Sequence, residues 1–139
     1  MNQEITAAPA PVRQFSVLLS ATRRGARLAR LLSVQQLIDW ELPFDAAAHV
    51  VAELAANAAT HGQVRGRGFR LTLSLCGGRL RIEVTDPRPE RLPGLRRPDT
   101  GHPESGRGLL LVEAYADRWG VDGGPSPCKT VWAELDIGP

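Results

Sequence analysis

FRLTLSLCGGRLRIEVTD, residues 69–86, alternates apolar and polar side chains on either side of a paired glycine. Phe69, Leu71, Leu73 and Leu75 are separated by Arg70, Thr72 and Ser74, and Leu80, Ile82 and Val84 by Arg81 and Glu83. A period of two belongs to a strand with one buried and one wet face. Gly77-Gly78 supplies the two turn residues that join such strands most tightly. The stretch is an antiparallel hairpin, and the rest of the chain must cover its apolar side.

Upstream, Phe44-Asp45-Ala46 makes a cap-like start to a helix that runs through AAAHVVAELAANAATH and stops at Gly62. Val50, Leu54 and Ala58 form the stripe of that helix that faces the sheet. Further back, Phe15 to Leu19 is a short strand, followed by Ser20 or Thr22 as the cap of a helix reaching about Trp40. Leu28, Leu31, Leu32, Gln35 and Ile38 lie at helical spacing there, with Arg23, Arg27 and Arg30 opposite, so the expected buried face is the leucine one. Residues 1–12 carry no periodicity and read as a tail to a single domain over 13–139.

Downstream, Pro87 to Ser105 holds five prolines and reads as a lid-like loop. Gly106-Arg107-Gly108 then opens a third helix, LLLVEAYADR. Trp119 to Val121 begins a strand, and Thr130 to Ile137 alternates as the last one, with Val131, Ala133 and Leu135 on one face. The order β-α-α-β-β-loop-α-β-β predicts an α+β two-layer sandwich, its sheet mostly antiparallel or mixed and its helices on one face.

Composition limits the function classes. With 139 residues, 42% hydrophobic and 23% charged, the chain has the make-up of an ordinary globule rather than of a disordered chain or a coiled coil. A domain of this size needs no staple, so Cys76 and Cys128 are expected to be free thiols of a cytoplasmic protein. No apolar run approaches the ~20 residues of a membrane span. Of the 17 basic residues only Lys129 is a lysine, and a net charge of +2 is a weak footprint for nucleic acid.

Three features point to chemistry. Glu53, Asn57 and His61 recur every four residues and make one polar stripe at the border of the buried face. Asp86 ends a strand, where a carboxylate accepts a hydrogen bond from an amino group such as the exocyclic amine of adenine, or simply forms a turn. Ser105-Gly106-Arg107-Gly108 stands at a helix start, where backbone N–H groups and an arginine fork suit an anion.

Together these segments resemble a known family. Glu53-Leu-Ala-Ala-Asn57-Ala-Ala-Thr-His61-Gly62 looks like the N box of the Bergerat-fold (GHKL) ATPases. Val84-Thr85-Asp86 resembles the start of their adenine-binding box, and Gly106-Arg107-Gly108-Leu-Leu-Leu-Val their second glycine box. With the terminal Ala-Asp117-Arg-Trp119-Gly120, the likeness is greatest to the anti-sigma-factor-like serine/threonine kinase branch, the small ATP-binding regulators of streptomycetes. It covers the chain from about Phe15 to Leu135.

The resemblance implies Glu53 as general base, Asn57 as ligand of a magnesium ion, Asp86 as the reader of adenine, and Gly106, Arg107 and Gly108 around the triphosphate. Thr130 matches a threonine that joins the adenine-side hydrogen bonds, and His61 falls within the same cofactor-binding set. It further implies ATP and Mg2+ as cofactors, ADP as product, a STAS anti-anti-sigma protein and a sigma factor as partners, and a homodimer as one form. The chain departs from the family at Asp86-Pro87-Arg88-Pro89, which lacks a glycine two residues after the aspartate, and at Lys129, where a glycine commonly precedes the threonine. The alternative is a regulator that binds nucleotide or partner without transferring phosphate. A nucleic-acid binder using Arg23, Arg24, Arg27 and Arg30 is the third reading, against the plainer one of a solvated helix face.

Overall fold

The computed structural model describes residues 12–61, 68–86, 103–123 and 129–138. The elements are β1 (Arg13–Ser20), α1 (Arg23–Asp39), α2 (Asp45–His61), β2 (Gly68–Cys76), β3 (Arg79–Asp86), α3 (Pro103–Tyr115), β4 (Arg118–Asp122) and β5 (Lys129–Asp136). They build the expected α+β arrangement: one sheet in the order β1-β2-β3-β5-β4, every neighbouring pair antiparallel. Gly77 and Gly78 have φ of 57° and 80°, the pair of positive values that a two-residue hairpin turn requires. The expected tail as far as residue 11, the loop from 87 to 102 and the turn holding Cys128 lie outside the described residues. Cys76 is a free, exposed thiol.

The core forms where the apolar parity of β2 and β3 meets α2. Phe69, Leu71, Leu73, Leu80 and Ile82 are fully buried with Ala133 of β5, against Val50, Val51, Leu54 and Ala55 of the helix. Thr22 caps α1 by accepting the Gly25 N–H at 3.0 Å. At the other end Glu41 takes φ 61°, its N–H donating to the Ile38 carbonyl and the Leu42 N–H to the Leu37 carbonyl, both at 2.9 Å. This paired closure turns the chain sharply and returns Leu42 to the core.

Two expectations need correction. The buried line of α1 is Gly25, Ala29, Ser33 and Leu37, whereas Leu28, Leu31 and Ile38 are between 41% and 49% exposed. The reason is distance: a Cβ on Gly25 would lie 1.9 Å from the Ser20 carbonyl oxygen, so α1 approaches β1 through its smallest residues. Secondly, α3 begins at Pro103 rather than after Gly108, and ends at Tyr115 rather than Arg118. Proline suits a first helical turn, whose N–H groups have no partner within the helix.

Asp117, Arg118 and Gly120 fasten β4 to β5 on the side of the sheet away from the helices, while Trp119, paired with Ala133, packs against the core. Arg118 donates to Glu134 at 2.9 Å and to Asp136 at 2.6 Å, while Asp117 accepts the Asp136 N–H at 2.7 Å. Arg81 donates to Glu83 at 2.7 Å and to Glu134 at 2.8 Å, with its guanidinium 4.4 Å from the centre of the Trp132 ring. The indole occupies the space over Gly120, where a Cβ would stand 2.7 Å from it. Hydrogen bonds from Arg118 hold both the Glu134 and the Asp136 carboxyl below the usual range.

Gly25→Ala inserts a methyl into a backbone carbonyl and should cost about 3 kcal/mol. Ser33→Ala removes a fully buried hydroxyl that has no hydrogen-bond partner and should leave stability unchanged or raise it by up to about 1 kcal/mol, both read by urea denaturation. The third prediction concerns acid. A carboxyl with a depressed folded pKa contributes stability above its unfolded value, near ~4.3 for glutamate, and loses it as pH falls through the folded value. Glu134→Gln should therefore be less stable than the parent at pH 7 by about 1 kcal/mol, with the gap closing as pH falls below the usual glutamate range and through the depressed folded value.

Candidate functional site

The N-box residues stand on α2 as their spacing requires. Val50, Leu54 and Ala58 are buried beneath it, and Glu53 and Asn57, one turn apart, are half-buried at its border. His49, a turn before Glu53, extends the stripe, a continuation of the four-residue repeat that the sequence already carried. Its ring stacks on Tyr115 with centroids 4.6 Å apart and planes 6° from parallel.

That stack fixes the relation of two helices. His49 lies near the start of α2, Tyr115 is the last residue of α3, and the helices pack on one another, so they run antiparallel. With a rise of about 1.5 Å per residue in each, one turn on from the stack brings Glu53 about level with Leu111. The next turn brings Asn57 about level with the backbone of Arg107, and His61 with Pro103. Gly106, Arg107 and Gly108 therefore lie in the first turns of α3, beside the Asn57 end of α2.

The sheet brings Asp86 to the same end. α2 passes to β2 through residues 62–67, and Arg70 near the start of β2 pairs with Thr85 near the end of β3. The C-terminal half of α2, the end of β3, the start of β5 and the first turns of α3 thus converge. Asp86 is half-buried, and strand alternation puts it on the helix side with Ile82 and Val84.

Thr130 is not brought to Asp86. It pairs with Thr85 in the ladder, and the two hydroxyls are 2.9 Å apart on the sheet face away from the helices. The residue across from Asp86 is Lys129. The arginines Arg23, Arg24, Arg27 and Arg30 are all exposed on α1, remote in the chain from this end of α3.

Among the described residues no group of three His, Cys, Asp or Glu side chains is placed to hold a metal by itself. A divalent ion at this end would take an oxygen from the Asn57 carboxamide and the others from phosphate and water, the donor set that magnesium favours. No helix of the structure is long and apolar enough to cross a membrane.

Known proteins share the sequence family and the fold. Residues 9–134 match the family described as the histidine kinase-like ATPase domain. An uncharacterized protein of Streptomyces coelicolor is 48% identical over 61 residues, 44% of this chain and 57% of that one. The RsbU and RsbW domains of Rv1364c from Mycobacterium tuberculosis resemble the fold with a TM-score of 0.68 at 20% identity, over 90% of this chain and 32% of theirs. The chain therefore spans little more than half of the first relative and a third of the second.

Proposed function

The chain belongs to the histidine kinase-like ATPase domain family, and from that membership we propose that it binds Mg-ATP at the convergent end and transfers the γ-phosphoryl group to a serine or threonine of a STAS-type anti-anti-sigma protein. The observation that carries this reading is the pair Glu53 and Asn57, half-buried one turn apart on α2, with Asn57 about level with the first turns of α3. The structural likeness to a chain with an RsbW domain favours a regulatory partner of that class.

Each residue then has a distinct task. Asp86 accepts a hydrogen bond from the base. The first turn of α3 presents backbone N–H groups to the phosphates, with Arg107 as an additional donor. Asn57 acts as the magnesium ligand, and His61 completes the cofactor-binding set that the family likeness implies. The metal, when bound, neutralises charge on the phosphate oxygens. Glu53 takes the proton from the acceptor hydroxyl as that oxygen bonds to the γ-phosphorus and ADP leaves.

A second reading rests on one observation. The sequence after Asp86 runs Pro87-Arg88-Pro89, without the glycine that the family places there, which favours a regulator that binds nucleotide or its partner and transfers nothing.

The test separates roles and readings together. Asn57→Ala should weaken magnesium-dependent ATP binding in calorimetry, because it removes the metal ligand. Glu53→Ala should bind ATP as well as the parent but transfer phosphate to a STAS protein of its own genome roughly 10²–10⁴ times more slowly. Parental transfer by Glu53→Ala overturns the base assignment. A parent that binds ATP and phosphorylates none of those proteins establishes the second reading instead.

A further inference from the structure

α1 carries two rows of residues suited to packing, and the monomer uses one. Gly25, Ala29, Ser33 and Leu37 are buried, chiefly against α2. Leu28, Leu31, Gln35 and Ile38 follow one another at intervals of three, four and three residues, the spacing of a coiled-coil seam. This second row lies roughly opposite the buried one around the helix, and all four of its members are exposed. The charges of the helix are also ordered against its own dipole. Arg23 and Arg24 stand in the first turn and Arg27 in the next, whereas Asp39 ends the helix and Glu41 follows it. A lone helix is stabilised by the reverse order, acid at its start and base at its end. Among the described residues none of these five charges forms an ion pair within the chain.

We infer that the outer face of α1 is a self-complementary docking strip, on which α1 of a second copy of this chain lies antiparallel through Leu28, Leu31, Gln35 and Ile38. With the two helices reversed, Leu28 comes level with Ile38 of the second copy and Leu31 with its Gln35, and the two-fold axis repeats both contacts. The same alignment sets Arg24 beside Asp39 of the second copy, and Arg27 on the flank where its Glu41 lies. Each positive end of one helix then meets the negative end of the other, side chains and dipole alike. A parallel pair would instead place arginine on arginine. An unlike partner with an acidic helix would satisfy the arginines and leave Asp39 and Glu41 unmatched. A second copy supplies the apolar row, the acidic end and the basic end together, in the reversed order that the strip needs. The strip is on α1, apart from the convergent end of α2, β3, β5 and α3, so the inference does not depend on nucleotide binding.

The experiment is sedimentation equilibrium of the full chain without nucleotide, for the parent, Leu31→Glu, Arg24→Glu, Asp39→Arg and the double variant Arg24→Glu/Asp39→Arg. Thermal melts confirm folding, which the substitutions favour: Leu31 is exposed, and both charge changes bring α1 into line with its dipole. The expected parent is a monomer–dimer equilibrium in the micromolar range. Leu31→Glu should weaken it by about a hundredfold, because the change enters the seam twice in each dimer. Each single charge variant should weaken it several-fold, and the double variant should recover most of that loss, since the swap restores the same pair with its signs exchanged. A parent that stays monomeric at about 100 μM overturns the inference, whether or not α1 then captures an unlike acidic partner. A dimer that Leu31→Glu leaves intact overturns it by placing the interface elsewhere. A double variant as weak as the single ones overturns the antiparallel alignment, and with it the second copy as the occupant that the charges select.

Discussion

The parity of β3 governs what this molecule can assemble. Gly77 and Gly78 close a turn of only two residues, and the turn leaves one pairing of Cys76 with Arg79 from which every other pair follows. Leu71, Leu73, Leu80 and Ile82 are then driven inward together, since a slip by one residue would put all of them in water. The same parity passes across to β5 and sends Ala133 and Leu135 into the core while Trp132 and Glu134 go outward. Asp86 and Lys129 are fixed on the helix side by the constraint that buries Ile82 and Val84. A site residue at a strand end thus inherits its direction from the core.

The helices supply the other half of the convergent end, and the contacts that hold them differ in kind. α2 lies on the sheet through Val50, Val51, Leu54 and Ala55, large and small residues interleaved over β2 and β3. α1 meets the end of β1 at Gly25, where an added Cβ would lie 1.9 Å from the Ser20 carbonyl oxygen, and packs mainly on α2. α3 is tied near its C-terminal end by buried Val112 and by the stack of Tyr115 on His49. Its first turns extend from that anchored end toward Asn57. The fixed end of α3 and the fixed end of β4 coincide, because Ala116 and Asp117 alone separate Tyr115 from Arg118.

Legibility followed periodicity. The hairpin, the span of α2 with its buried Val50, Leu54 and Ala58, and the half-buried placing of Glu53 and Asn57 all agree with the reading of the sequence, since each depends on neighbours within one turn or one strand. The inward face of α1 was not legible. A count of apolar residues selects Leu28, Leu31 and Ile38, but close approach to a strand selects glycine, alanine and serine, and only the position of Ser20 reveals that preference. The start of α3 was hidden by glycines that read as a loop yet are carried in the helix behind Pro103. The direction of Thr130 was illegible for a third reason: strand register is a relation between β3 and β5, segments more than forty residues apart, and nothing local to Thr130 encodes it.

The two ends of the sheet differ in which elements supply their polar groups, and that difference bears on where a ligand is proposed to bind. At the Arg118 end, Glu134 receives donors from Arg81 and Arg118 and is 15% exposed, while Trp132 fills the gap over Gly120, so charge and shape are closed on themselves. The Ala-Asp-Arg-Trp-Gly block is therefore a fastening, and it contributed to the family likeness because the fold needs it there. At the Asp86 end, the polar residues Glu53, Asn57 and Asp86 come from elements whose apolar faces are already spent on the core, and they stand half-buried at its margin. Burying such groups halfway costs solvation that the core alone does not return. A ligand carrying both donors and phosphate oxygens would offset that cost, which is the physical support for placing the proposed nucleotide site at these positions.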